Sequence, residues 1–158
     1  MQIECTINEK PYKIDVTPSD FLIDALRRLG FYSVKRGCET SACGLCTVLV
    51  NDKTVLSCSV LTASIHGKRV VTLEGLQEEA KIFGDFLANE GSEQCGYCSP
   101  GFIMNVLAME KELENPSDDE IKKYLVGNLC RCTGYMGQLR AIKKYFKRGK
   151  GADYENSK

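Results

Sequence analysis

Eight of the nine cysteines in this 158-residue chain fall into two quartets, and the quartets are spaced differently. Cys38, Cys43, Cys46 and Cys58 read C-x4-C-x2-C-x11-C, and Cys95, Cys98, Cys130 and Cys132 read C-x2-C-x31-C-x-C. Four thiolates suffice to hold one metal centre. A disulfide framework would need an oxidising compartment. No apolar N-terminal run precedes a cleavage site here, and Ile3 to Ile7 already alternates like a strand, so a cytoplasmic chain with reduced thiols is expected. Each half of the chain is about 75 residues, marginal for a core unless something cross-links it.

The first spacing is that of plant-type ferredoxins, which hold a 2Fe–2S cluster. The second is less decisive, because a C-x2-C pair with two distant cysteines suits structural zinc as well as iron–sulfur. A four-thiolate 2Fe–2S cluster is an anion and becomes more negative on reduction. It calls for inward-pointing backbone N–H groups and nearby cations. Gly37 and Gly44 flank ligand positions and let the first loop curl, and Gly96 does the same in the second C-x2-C. Lys35, Arg36 and Arg131 are the cations placed to offset charge.

Along the first half, Ile3–Ile7 and Tyr12–Val16 alternate around an Asn8–Pro11 turn and predict a hairpin. Thr17-Pro18-Ser19-Asp20 reads as a helix start with Thr17 as N-cap, and Gly30 as its stop. Strands follow at Thr47–Val50, Thr54–Ser57 and Val70–Leu73. After Gly75 the apolar period lengthens to that of helices. Helices are expected from Leu76 to Asn89 with Ile82, Phe83, Phe86 and Leu87 on one face, and from Ser99 as cap to Asn115-Pro116. A third starts at the Ser117-Asp118-Asp119-Glu120 capping box and ends at Gly127, and a fourth runs from Gln138 to Lys147. The expected fold class is α+β: a β-grasp ferredoxin-like domain over 1–75, a four-helix metal-binding bundle over 76–148, and a mobile tail over 149–158.

Lys plus Arg equals Asp plus Glu at 21 each, which argues against a nucleic-acid partner. Lys143, Lys144, Lys147, Arg148 and Lys150 read as a solvated face and tail. No stretch is apolar enough to span a bilayer. Cys5 reads as a strand core residue, His66 as a polar connector residue, and Phe102, Ile103 and Met104 as core. Tyr97 and Tyr135 adjoin cysteines and can shield a cluster from water. No nucleophile–base constellation, phosphate loop or paired-carboxylate signature is present.

Three strings carry a closer resemblance. They are Gly37-Cys38 through Cys43-Gly44-Leu45-Cys46-Thr47-Val48, Gln94-Cys95-Gly96-Tyr97-Cys98-Ser99-Pro100-Gly101, and Gly127-Asn128-Leu129-Cys130-Arg131-Cys132-Thr133-Gly134-Tyr135. Together they resemble the iron–sulfur part of the xanthine dehydrogenase (molybdenum hydroxylase) family, and the likeness runs from Ile3 to about Tyr145. It implies a 2Fe–2S cluster at each quartet. It also implies an electron-transfer subunit with no substrate chemistry of its own, working with a large molybdenum–pterin subunit and a medium FAD subunit. Electrons would pass from molybdenum to the cluster of Cys95, Cys98, Cys130 and Cys132, then to that of Cys38, Cys43, Cys46 and Cys58, then to FAD. Gln94 and Cys132 match positions that lie against the pterin, although Gln94 also reads as a loop-capping amide. Ser41, Leu45 and Ser99 stand where many relatives have Gly, Ala and Thr. A freestanding two-cluster ferredoxin and a structural zinc module are the competing functions. The substrate of such a complex is not written in this chain.

Overall fold

In the computed structural model, residues 1–148 are described; Lys150 and the tail expected over 149–158 lie outside them. Strands β1 (Gln2–Ile7) and β2 (Lys10–Asp15) form the expected hairpin, with Cys5 opposite Tyr12. Asn8 and Glu9 both take positive φ, at 49° and 64°, as a two-residue turn matched to strand twist requires. Asn8 is also pinned from across the sheet: its side chain accepts from Thr72 N at 2.9 Å and donates to Thr72 Oγ1 at 3.0 Å. Helix α1 (Leu22–Arg28) follows, then β3 (Thr47–Val50), β4 (Lys53–Leu56) and β5 (Arg69–Val71). The sheet order is β2-β1-β5-β3-β4, with β5 parallel to β1 and antiparallel to β3. Ile3, Cys5 and Ile7 point to one face at period two and pack with Leu22, Ile23 and Leu26 of α1. This arrangement is ferredoxin-like.

The second half contributes α2 (Gln77–Asn89), α3 (Ser99–Glu112), α4 (Asp118–Tyr124) and α5 (Met136–Lys147). Phe83, Leu87, Phe102, Val106, Ile121, Ile142 and Tyr145 form its core. Tyr145 meets Phe83 edge-on at 5.0 Å and donates its hydroxyl to Glu110 at 2.6 Å, so its polar end is satisfied. Ser117 and Glu120 make the reciprocal capping box at α4. A further apolar strip joins the halves: Met104 and Ala108 of α3 sit on Leu49 of β3 and Val71 of β5. Among the described residues no helix is long and apolar enough to cross a membrane.

Several expected boundaries move. Thr17 does not cap a helix; α1 starts five residues later, with Phe21 extended at its N-cap. Thr17 instead donates to the Asp20 carboxylate at 2.6 Å, and the Asp20 carbonyl is held by Thr62 from both its amide and hydroxyl. Those bonds keep the segment out of helical conformation. Cys98, not Ser99, occupies the N-cap of α3. The last strand ends at Val71, because residues 73–75 turn into a short 3-10 segment. Helix α4 ends before Gly127, at Tyr124. Ile82 faces solvent, while Phe83 and Leu87 are buried.

Candidate metal centres

The first cysteine loop bridges α1 and β3 with almost no regular structure. Cys43 and Cys46 are buried, and Cys38 and Cys58 are half-buried. All four line one recess with Lys35, Arg36, Gly37, Ser41 and Gly44. Backbone N–H groups point at the sulfurs, as an anion nest requires. Ala42 N donates to Cys38 Sγ at 3.3 Å; that bond, with the Cys43 thiol and further amides, pulls Cys38 down to about 6. Burial pushes Cys43 up, and it pushes Cys46 up to about 11. At Cys58 burial acts upward, but the Ser41 hydroxyl at 3.5 Å and the Cys46 thiol outweigh it, so the thiol is lowered.

The second quartet gathers the α2–α3 and α4–α5 connections. Cys95 and Cys132 are exposed, and the Cys132 thiol donates to Cys95 Sγ at 3.6 Å. The Tyr97 amide and the Cys132 thiol lower Cys95, and the same sulfur contact raises Cys132. Burial, with the Cys130 sulfur, lifts Cys98 to about 11. Burial also acts upward on Cys130, but the Thr133 hydroxyl at 3.1 Å and local amides lower it overall. Tyr135, at φ 69°, accepts from Cys130 N at 3.0 Å and so braces this loop.

The sulfurs therefore meet two by two: Cys38 with Cys43, Cys46 with Cys58, Cys95 with Cys132, Cys98 with Cys130. In each pair one thiol is lowered and its partner raised. Among the described residues no group of three or more His, Cys, Asp or Glu side chains could hold a single metal ion. Two pairs per site fit a centre of two irons, each taking two thiolates, and the donor set is all thiolate, as such clusters need.

The two loops also touch each other. Leu129, next to Cys130, donates its backbone N–H to the carbonyl of Cys43 at 2.9 Å. Gly44 has φ +73°, and a Cβ there would collide with the Gly127 carbonyl and come 2.6 Å from Asn128 Nδ2. Gly101 at the start of α3 allows the same closeness from below, since its Cβ would lie 2.9 Å from Leu45 Cα. Asn128 is buried in this seam, accepting from Asn105 and donating to the Gly101 carbonyl at 3.4 Å. On the other side Tyr97 donates its hydroxyl to the Arg36 carbonyl at 3.2 Å.

Two family profiles cover the chain. One, "2Fe-2S iron-sulfur cluster binding domain", matches residues 5–80, and the other, "[2Fe-2S] binding domain", matches residues 72–143. The chain is 45% identical over 137 residues to the xanthine dehydrogenase iron-sulfur-binding subunit of Escherichia coli O157:H7, covering 84% of this chain and 86% of that one. It belongs to the iron–sulfur subunits of the xanthine dehydrogenase (molybdenum hydroxylase) family. The nicotinate dehydrogenase small FeS subunit of Eubacterium barkeri is 37% identical over 146 residues, 90% of this chain and 92% of that one. Quinoline 2-oxidoreductase from Pseudomonas putida 86 superimposes with a TM-score of 0.84 at 38% identity, over 90% of both chains. Aldehyde oxidoreductase from Desulfovibrio gigas gives 0.84 at 30% identity, over 93% of this chain and 17% of that longer one. As a small subunit of this family the chain is an electron-transfer component of an oxidoreductase complex, and it carries 2Fe–2S-binding domains in both halves.

The structure gathers all eight cysteines of the quartets. Gln94 is exposed beside Cys95. Cys5 is core and His66 is structural, its Nδ1 accepting from Glu4 N at 3.1 Å. Ser41, Ser59, Thr133 and Asn128 support the sulfurs and the seam, a role the sequence pattern does not mark. The departure of Ser41 from the usual Gly is the signal for it in the sequence. Its φ of 56° keeps the glycine-like backbone, and its hydroxyl links Ser59 to the Cys58 sulfur.

Proposed function

We propose that Cys38, Cys43, Cys46 and Cys58 hold one 2Fe–2S cluster and Cys95, Cys98, Cys130 and Cys132 the other, in a cytoplasmic complex with a large molybdenum–pterin subunit and a medium FAD subunit. When bound, the two clusters supply one-electron chemistry in series between molybdenum and FAD. The observation that carries this reading is that each quartet gathers at its own place, the first lining one recess and the second including the Cys132–Cys95 sulfur contact at 3.6 Å, with the two loops joined by the Leu129–Cys43 hydrogen bond. Exposure distinguishes the two sites. Cys95 and Cys132 reach the surface, with Gln94 exposed beside them, and suit the pterin side. Cys43 and Cys46 are buried. The amides of Thr40, Ala42, Leu45, Tyr97 and Thr133 donate to thiolates and so favour the deprotonated ligand state. In this reading residues 1–75 are a β-grasp domain and residues 76–148 a four-helix bundle.

The test is composition followed by flow. Iron and acid-labile sulfide should each be about four per chain, with two distinct EPR signals in the reduced complex. Cys43→Ser should abolish one signal and stop flavin reduction by substrate, while molybdenum is still reduced. Zinc in place of iron, or flavin reduced at the normal rate in that variant, would refute the reading.

A further inference from the structure

We infer that Lys35 is a cation shared by both cluster sites, setting the reduction potentials of the two together. The inference rests on the two-cluster reading above. Lys35 lines the recess of Cys38, Cys43, Cys46 and Cys58. Its backbone N–H is fixed on the Leu45 carbonyl at 3.3 Å, one residue from Cys46. Its ammonium then leaves the first site and crosses to the second. Nζ donates to the Tyr97 carbonyl at 3.3 Å, inside the Cys95–Cys98 turn, and lies 4.7 Å from the centre of the Tyr97 ring. The ring's negative face holds the cation in place. Tyr97 is in turn fixed to the first loop through the Arg36 carbonyl at 3.2 Å.

The neighbouring cations do not compete for this role. Arg36 is neutralised by Asp24 at 2.9 Å and Glu39 at 3.8 Å. Arg131 is exposed. Among the described residues Lys35 directs its ammonium at no carboxylate, only at an uncharged carbonyl and a ring. An unneutralised charge held between two sites acts on both. Each site gains one negative charge when it takes up one electron, and Lys35 stabilises that added charge. Removing the charge therefore makes both sites harder to reduce.

The experiment is a potentiometric titration of the purified complex, in which EPR reads the two iron–sulfur signals separately. Lys35→Gln keeps a donor for the Tyr97 carbonyl and deletes the charge. At any fixed potential the ratio of reduced to oxidised centre should fall on the order of tenfold in both signals, the Coulomb effect of one unit charge roughly 12 Å away at an effective dielectric of about 20. Tenfold corresponds to about 59 mV for a one-electron couple. Lys35→Met is a second charge-free variant and should shift both signals the same way. Lys35→Arg restores the charge and should leave both ratios within about twofold of the parent. A shift confined to one signal, no shift in either, or an equal shift in Lys35→Arg would overturn the shared-cation role while leaving the two-cluster reading intact. A parent complex lacking two EPR signals would overturn both.

Discussion

The seam between the two cysteine loops can be tested by one methyl group. In Gly44→Ala the new Cβ would strike the Gly127 carbonyl and come within 3.1 Å of Asn128 Cα, both backbone atoms that cannot rotate away. Two costs add. The φ of +73° disfavours any L side chain by about 1–2 kcal/mol. Forcing bulk into a packed contact costs about 1–3 kcal/mol more. Gly67 separates them, because its φ is +70° but nothing lies within 4 Å of a Cβ built there. Gly67→Ala should therefore carry the first cost alone. For a chain of this size about 1 kcal/mol moves the melting temperature by about 2–4 °C. Gly44→Ala should then melt roughly 2–12 °C below Gly67→Ala. Melting of the full chain is followed by visible absorbance at several scan rates, because loss of clusters makes the midpoint rate-dependent. In the same variant the Leu129 amide should exchange faster with deuterium, since its bond to the Cys43 carbonyl lies in the wedge, and flavin reduction should slow. Equal melting of the two variants, with Leu129 exchange unchanged, would refute a tightly packed seam.

Two further variants follow from the same geometry. Ser41→Gly relieves a left-handed φ of 56° and should stabilise the chain by about 1 kcal/mol. It also deletes the hydroxyl contact to Cys58 Sγ, so the EPR-monitored potential of the first site should fall while the second stays put. Glu90 is held below the usual carboxylate range by Lys144 and then Arg140, both on α5. A depressed carboxyl stabilises the fold above its ordinary pKa and loses that contribution as pH falls through the lowered value. Glu90→Gln should cost about 1 kcal/mol at neutral pH by urea denaturation, and the gap to the parent should close in acid.

What could be read in advance was what the chain encodes locally. The eight cysteines declare themselves by spacing, the hairpin by its turn residues, and α4 by the Ser117–Glu120 box. The start of α1 could not be read, because Thr17-Pro18-Ser19-Asp20 has every local sign of a cap. It is overridden by Thr62, which lies 42 residues further on and holds the Asp20 carbonyl. Which sulfur meets which is equally silent in the spacing. Cys43 and Cys46 share one C-x2-C turn, yet each turns to a different partner, Cys38 and Cys58. Asn128 looked like flanking sequence in a motif. Its burial, and its bond to Gly101 27 residues away, show why an amide stands there: the seam leaves buried backbone carbonyls that need a donor.

An electron relay depends on fixed separations, and irregular loops by themselves do not provide them. Here three ties act at different places. Met104 and Ala108 lock α3 to the sheet through Leu49 and Val71. Leu129 joins the Cys130 loop to Cys43. Tyr97, with Lys35, joins the Cys95–Cys98 turn to the strand of chain leading into Cys38. A single hydrogen bond is worth about 1 kcal/mol and would permit hinging. Three separate contacts together resist hinging better than any one of them. The relation between the two sites is thus built into this one chain. On the reading proposed above, a partner that reaches the exposed thiols of Cys95 and Cys132 meets two sites already in register.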